Sequence, residues 1–211
     1  MTDKKPGLDA AYALQSADDN RALYADWAES YDSSFAGEMD YVLPLRVAEA
    51  YLDVAGPDAG PVLDVGAGTG LCGAALRDLG IGPIEATDLS PQMLAVAERK
   101  GIYTRLFEAD LLQGLPCDNG AYTGVVSSGT FTTGHLGAEA LDEVLRIIRP
   151  GGWLAISVNR RHYDEGGFAE ALAARDGRIT TLEVRDVRNY GPGAQGDHAQ
   201  DLGRIVTCRL R

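Results

Sequence analysis

The sequence predicts an α/β fold, a parallel sheet with helices on both faces. Three observations carry that prediction. From residue 61 onward, short apolar runs alternate with longer stretches of helical spacing, the rhythm of strand–helix–strand units. The first apolar run, VLDV at 62–65, passes directly into glycines at 66, 68 and 70, as in a tight turn whose backbone approaches a ligand. Aspartates also stand at the ends of three successive predicted strands, at 64, 88 and 110.

Taken in order, residues 1–17 show no sustained pattern and are expected to be flexible. Residues 18–58 carry helical spacing, in DDNRALYADWAESYDSSF and then YVLPLRVAEAYLDVAG. They are expected to cap the carboxyl edge of the sheet, where open α/β folds bind ligands. Residues 59–211 are expected to build the sheet core, the whole chain forming one domain. PVLDV is a buried strand, followed by LCGAALRDL as a helix with Leu71, Ala74, Ala75 and Leu79 apolar. PIEATD is the second strand. Ser90 as N-cap and Pro91 at the first helical position start a helix through MLAVAERK, which Gly101 stops. YTRLFEAD is the third strand and AYTGVVSS the fourth, its small residues around Val125 and Val126 suiting burial on both faces. EALDEVLRIIR is an amphipathic helix closed by Pro150-Gly151-Gly152, and WLAISVN the fifth strand. FAEALAARD is then a short helix. ITTLEVRDV and RIVTCRL, joined by the long NYGPGAQGDHAQDLG, form a terminal antiparallel hairpin.

At 211 residues the chain is long enough to bury a core without disulfides or metals. No stretch approaches the roughly 18 uninterrupted apolar residues of a membrane helix, and the N-terminus has no apolar block behind its lysines, so a cytoplasmic protein is expected. Acids outnumber bases 31 to 19, a net charge of −12, which argues against nucleic acid as a partner. Arg175, Arg178, Arg185 and Arg188 are read as a solvated face. Cys72, Cys117 and Cys208 lie far apart with no CxxC pair, and are read as reduced thiols rather than metal ligands.

The glycine turn lacks the lysine of a phosphate-binding P-loop. It also departs from a dinucleotide fingerprint, with Leu71 where the third glycine would fall. A purely structural turn remains open. Asp88, ending the second strand, is placed to accept hydrogen bonds from both hydroxyls of a ribose. Asp110, ending the third, lies beside it where an adenine amino group would be, and Asp64 sits inside the glycine motif. Three carboxylates make a poor phosphate site and a good one for a cationic ligand without phosphates, since negative potential stabilises an ammonium or a sulfonium.

On these motifs the chain resembles the class I S-adenosylmethionine-dependent methyltransferases, over roughly residues 60–160. VLDVGAGTG resembles the family's glycine motif, ATDLS its ribose-binding acidic motif, EADLL its adenine-contacting segment, and LRIIRPGGWLAISV its helix–turn–strand segment after the fourth strand. The resemblance implies a Rossmann-like, seven-stranded, mostly parallel sheet with an antiparallel terminal hairpin and an N-terminal helical cap. It implies S-adenosyl-L-methionine as cofactor and S-adenosyl-L-homocysteine as product. Gly66, Ala67, Gly68 and Gly70 would pack against the methionine part. Asp88 would hold the ribose, Leu89 and Met93 would flank the adenine, and Asp110 with Leu111 would close around it. Asp64 and Ser127 are further cofactor-binding candidates.

Methyl transfer is an in-line displacement at a carbon already activated by the sulfonium, so the protein chiefly orients the acceptor and removes its proton. The stretch SSGTFTTGH at 127–135 occupies the position that borders the reacting methyl in the resembled family, and it lacks that family's (D/N)PP(Y/F) motif. This counts against DNA-adenine and protein-glutamine substrates. His135 is the candidate general base, with packing at the start of the next helix as its alternative. Thr130, Phe131, His162 and Tyr163 are expected to line the acceptor pocket, and His198 to be exposed. Tyr24, Trp27 and Tyr31 recur at spacings of three and four, on one helix face, as a core stripe or a lid. LYADWAESYDSSF and GTFTTGHLG together resemble the small-molecule methyltransferases related to the Williams–Beuren region methyltransferase-like protein. That resemblance implies a lid, with Tyr31 bonding the cofactor's carboxylate and Tyr24 and Trp27 walling the acceptor pocket. The expected activity is methylation of an oxygen or nitrogen on a small molecule, with no metal. A cofactor-binding regulator without turnover, a protein or RNA methyltransferase, and a nicotinamide-dependent dehydrogenase are the alternatives.

Overall fold

Among the described residues seven strands form one sheet: β1 (Val62–Val65), β2 (Ile84–Asp88), β3 (Arg105–Glu108), β4 (Tyr122–Phe131), β5 (Ile148–Asn159), β6 (Ile179–Arg188) and β7 (Leu202–Leu210). Their order is β3-β2-β1-β4-β5-β7-β6, with β1 to β5 parallel and β7 antiparallel to both its neighbours. The expected mostly parallel sheet and terminal hairpin are therefore both present. The computed structural model describes residues 7–14 and 16–211. The flexibility expected of residues 1–6 and 15 lies outside the described residues.

Eight α-helices are described: α1 (Leu8–Tyr12), α2 (Ala17–Trp27), α3 (Leu43–Ala55), α4 (Leu71–Asp78), α5 (Pro91–Arg99), α6 (Leu141–Arg146), α7 (Arg160–Glu165) and α8 (Phe168–Ala173). Residues 8–12, expected to be flexible, are helical because Ala11 packs into an aromatic cluster with Trp27, Phe35 and Tyr190. Ser16 caps α2 by accepting the Asp19 N–H, and Ser90 caps α5 by accepting the Met93 N–H. The helical spacing of 18–35 is not one helix. The chain leaves α2 after Trp27 and re-forms as a π-helical turn over Tyr31–Gly37.

Three boundaries differ from expectation. The helix predicted over EALDEVLRIIR ends at Arg146, because the Arg146 and Ile147 carbonyls accept the Gly120 and Tyr122 N–H groups and Ile148 pairs with Tyr122 in the sheet. β4 runs on to Phe131, which pairs with Val158 beyond an irregularity in the ladder. β3 is short because the Asp110 side chain accepts the Leu112 N–H and starts a 3₁₀ turn.

Alternate residues of the central strands feed two apolar layers, as burial on both faces requires. Leu63, Val125, Leu154 and Ile156 pack with α6 and α8 residues such as Leu141 and Phe168. Val62, Val126 and Ala155 pack with Val47 and Tyr51 of α3 and Leu76 of α4. Tyr51 is fully buried and donates its hydroxyl proton to the Ala59 carbonyl at 2.8 Å. A Cβ on Gly124 would overlap the Tyr51 ring and hydroxyl. Gly124→Ala is therefore expected to destabilise the fold by about 1–3 kcal/mol through overpacking, seen as a lower urea midpoint with unchanged slope.

Asp64 of β1 is fully buried and accepts the Tyr103 hydroxyl proton at 2.8 Å. Burial pushes its carboxyl up from 3.8 to about 7, against that hydrogen bond. Between those values the unfolded chain ionises Asp64 while the folded chain holds the proton. Folding thus binds a proton, and this group's contribution falls as pH rises through that window, by at most about 1.4 kcal/mol per pH unit. Asp64→Asn removes the slope. Denaturant midpoints from about pH 4 to about pH 7 are expected to improve steadily for the variant relative to the parent.

Candidate cofactor and acceptor site

The chain leaves β1 in a turn with Gly66, Gly68 and Gly70 at φ of 64°, 56° and 89°. The Gly66 and Ala67 N–H groups both donate to the Thr87 carbonyl, at 2.8 and 3.1 Å, pinning the turn to β2. Each glycine does something different. A Cβ on Gly66 would overlap Thr130, so the turn and the end of β4 lie in direct contact. A Cβ on Gly70 would press on the Tyr103 ring at 3.0 Å. Around Gly68 a Cβ would meet nothing within 4 Å. That open space belongs to a cavity of about 400 Å³ over the carboxyl ends of β1, β2 and β4.

Two carboxylates line this cavity, Asp88 and Asp110. Asp88 accepts the Gly68 N–H at 2.8 Å on one oxygen and the Ser90 N–H at 2.9 Å on the other. Each oxygen keeps acceptor capacity for a further donor. Burial raises the Asp88 carboxyl above its ordinary range, and these amides oppose the shift. Leu89, Met93, Ala109 and Leu111 supply apolar walls beside the carboxylates. No lysine or arginine is among the lining residues, so a pyrophosphate would find no cationic partner here. Asp88 and Asp110 offer acceptors for the hydroxyl and amino donors of a purine nucleoside, with apolar side chains beside them. The open cradle at Gly68 leaves room for a chain attached to the ribose. The site fits S-adenosyl-L-methionine.

The cap closes the cavity from above, with Tyr24, Tyr31 and Tyr41 in the wall. Trp27 instead is core, 3% exposed and packed between Tyr24, Tyr31 and Phe35 with ring centroids 5.0–6.0 Å away. The aromatic stripe is thus split, its tryptophan inward and its tyrosines toward the cavity. Asp32 ties the cap down. It accepts the Thr69 hydroxyl proton at 2.5 Å and pairs with Lys100 at 2.6 Å, while Glu29 pairs with Arg99 at 2.8 Å. Sequence reading missed Asp32, Tyr41, Thr69 and Lys100; Thr69 and Asp32 stand inside the quoted segments VLDVGAGTG and LYADWAESYDSSF, but nothing local signals that their side chains meet.

His135 lies at the mouth beyond β4, with Nε2 3.0 Å from the Tyr24 hydroxyl and Nδ1 3.3 Å from the Thr133 carbonyl. Desolvation lowers its pKa, opposed by the Thr133 hydrogen bond and aided by His162 nearby. A smaller chamber of about 60 Å³ shares Tyr24, Tyr31, Tyr41, Gly129 and His135 with the large cavity, and adds Phe35, Phe131, Asn189 and Tyr190. No charged side chain lines it.

Several expected site residues lie elsewhere. Asp64 faces Tyr103 behind the turn, and Ser127 is fully buried with its hydroxyl donated to the Val65 carbonyl. Gly70 caps α4 without lining the cavity. His162 bonds the Leu136 carbonyl at 3.0 Å, and Tyr163 stacks on Phe168 under the Arg204 guanidinium, so neither lines either cavity. Both belong to the packing of α7, where the first helical turn carries them away from the sheet edge. His198 is half-buried, 2.8 Å from Asp201 and edge-on to Tyr12, rather than exposed. Gly66, Ala67, Gly68, Leu89, Met93, Leu111 and Thr130 do line the large cavity. Among the described residues no three His, Cys, Asp or Glu side chains converge as metal ligands.

A family model described as a methyltransferase domain matches residues 62–152. Human methyltransferase-like protein 27 is 32% identical over 174 residues, covering 81% of this chain and 69% of that protein. The fold is shared with an S-adenosyl-L-methionine-dependent methyltransferase structure from Methanococcus maripaludis, at TM-score 0.63 and 19% identity over 88% of this chain and 92% of that one. It is shared also with a chain of a Haloferax volcanii complex between the Trm112 methyltransferase activator and a methyltransferase, at TM-score 0.64 and 21% identity over 89% and 96%. At those identities the structural likeness concerns the fold. The sequence relationship to the human protein and the matched domain carry the assignment further: this chain belongs to the class I S-adenosylmethionine-dependent methyltransferases, enzymes whose methyl donor is S-adenosyl-L-methionine.

Proposed function

We propose that this enzyme methylates an oxygen or nitrogen atom of a small molecule held in the tyrosine-walled chamber. The observation that carries the reading is the pair of adjoining cavities, one with two carboxylates and no cation, the other smaller and uncharged. Bound S-adenosyl-L-methionine supplies an electrophilic methyl carbon. Gly66, Ala67 and Gly68 give it backbone contact, and Asp88 accepts from the ribose hydroxyls. Leu89 and Met93 flank the adenine, with Asp110 and Leu111 closing over it. Tyr31 reaches the cofactor's carboxylate from the cap. Tyr24, Thr130 and Phe131 border the acceptor, and His135 accounts for its proton. The chamber's size and the chain's acidity, 31 acids to 19 bases, favour a small acceptor over a nucleic acid. We place the enzyme in the cytoplasm as a single domain over residues 1–211; its three described cysteines are free thiols, and no helix of the described residues is long and apolar enough to cross a membrane.

Calorimetry on the full chain tests the cofactor site. S-adenosyl-L-methionine and S-adenosyl-L-homocysteine are expected to bind with micromolar affinity and NAD to give no heat. Asp88→Ala is expected to weaken both by about 10- to 100-fold, the loss of charged hydrogen bonds. Unchanged affinity in that variant would remove Asp88 from the ribose. For the acceptor side, His135→Ala is expected to lower S-adenosyl-L-homocysteine release with small phenols as acceptors by about 100-fold. The same variant is expected to keep its affinity for the cofactor; a regulator would show binding in both proteins and turnover in neither.

A further inference from the structure

The hydrogen bonds of His135 leave it no free nitrogen. Nδ1 faces the Thr133 carbonyl, which can only accept, so Nδ1 carries the proton. Nε2 is then the acceptor, and the Tyr24 hydroxyl donates to it. The proton of Tyr24 is committed to His135 while lone pairs on its oxygen stay free, and Tyr24 borders both the large cavity and the small chamber.

We propose that Tyr24 is a catalytic residue that receives the proton of a small, uncharged phenol while passing its own proton to His135. The proposal rests on the methyltransferase reading above and names its acceptor class. As the acceptor oxygen forms its bond to the methyl carbon, the carbon–sulfur bond breaks and its electron pair stays on sulfur. The acceptor O–H breaks in the same step, its proton going to the Tyr24 oxygen. Tyr24's original proton moves to His135 Nε2, leaving an imidazolium whose Nδ1–H remains on the Thr133 carbonyl. Tyr24 ends neutral. That outcome matters because burial raises its pKa well above the ordinary value, so a lone tyrosinate is disfavoured there.

The chemistry selects a hydroxyl over an amine. A neutral amine attacks with its own lone pair and sheds its proton afterwards, whereas a phenol, with a pKa of about 10, must lose its proton to become a good nucleophile. The rings of Tyr31 and Tyr41, which border both the large cavity and the small chamber, suit an aromatic acceptor lying across the two. The titratable groups facing the Tyr24–His135 pair are Tyr12, Tyr31, Tyr41 and His162, with Asp88 acting on Tyr24.

The test compares phenol with 4-nitrophenol, which is largely ionised at about pH 8 and needs no base. Tyr24→Phe keeps the ring stacked on Trp27 and removes the hydroxyl, and His135→Gln removes the proton sink. Each is expected to lower kcat for phenol by about 100-fold and for 4-nitrophenol by less than about 5-fold. Equal losses on both acceptors, or methylation of benzylamine without methylation of either phenol, would overturn the proposal. Nitrogen-15 NMR of the imidazole gives a readout independent of turnover: the Nδ1-protonated tautomer is expected, with an Nε2 resonance that moves in Tyr24→Phe. An Nε2-protonated His135 would sink the relay even if the cofactor binds normally. Failure of S-adenosyl-L-homocysteine to bind would instead strike the methyltransferase reading itself.

Discussion

Two amide protons converging on one carbonyl organise this molecule. Gly66 and Ala67 both donate to Thr87, and that shared acceptor fixes where the chain turns after β1, how close it comes to β4 and which way α4 sets out. The turn is tight enough that Gly66 leaves no room for a side chain against Thr130. Its positive φ, like that of Gly68, is one that other residues adopt only under strain. Gly68 then directs its amide at Asp88. One local backbone arrangement thus couples three strands and orients the Asp88 carboxylate at the cavity.

Electrostatics complete the selection. A cavity holding two carboxylates and no lysine or arginine repels phosphate and accepts hydroxyl, amino and sulfonium groups, because burial makes each unpaired charge costly and each matched one strong. The cations that exist nearby, Lys100 and Arg99, are spent on Asp32 and Glu29 of the cap. Exposed ion pairs contribute little individually, but Asp32 also takes the Thr69 hydroxyl from the glycine turn. The cap and the turn are therefore held by one carboxylate, which links the residues over the cofactor to those beneath it.

The tyrosines give the two cavities a common wall. Tyr24, Tyr31 and Tyr41 each face both spaces, so a change in their position alters both cavities together. Trp27 holds them from behind, and Phe35 and Tyr190 of the small chamber's wall belong to the same aromatic cluster. Large rings with two free torsions make such a wall at small entropic cost.

Much of this was legible from local pattern. The strand-ending glycines, the aspartate at 88 and the Ser90-Pro91 helix start each act through nearest neighbours and backbone geometry, and they are where the sequence placed them. The sequence alone also settled the α/β class, because alternating apolar runs and helical spacing can bury themselves only as layers. Other features were decided by distant partners. Helical spacing put Trp27 and Tyr31 on one face, but only the break after α2 turned one inward and left the other at the cavity. Asp64 read as a third site carboxylate, yet strand alternation and Tyr103 hide it behind the turn. His162 and Tyr163 looked like edge residues until the α7 turn carried them into packing with Phe168. The sequence by itself determined the fold class, which rests on short-range spacing, and its resemblance to a known family named the cofactor. The small uncharged chamber was left to the tertiary structure, since its walls come from residues such as Tyr24, Gly129 and Tyr190 that meet only after the sheet has closed beneath the cap.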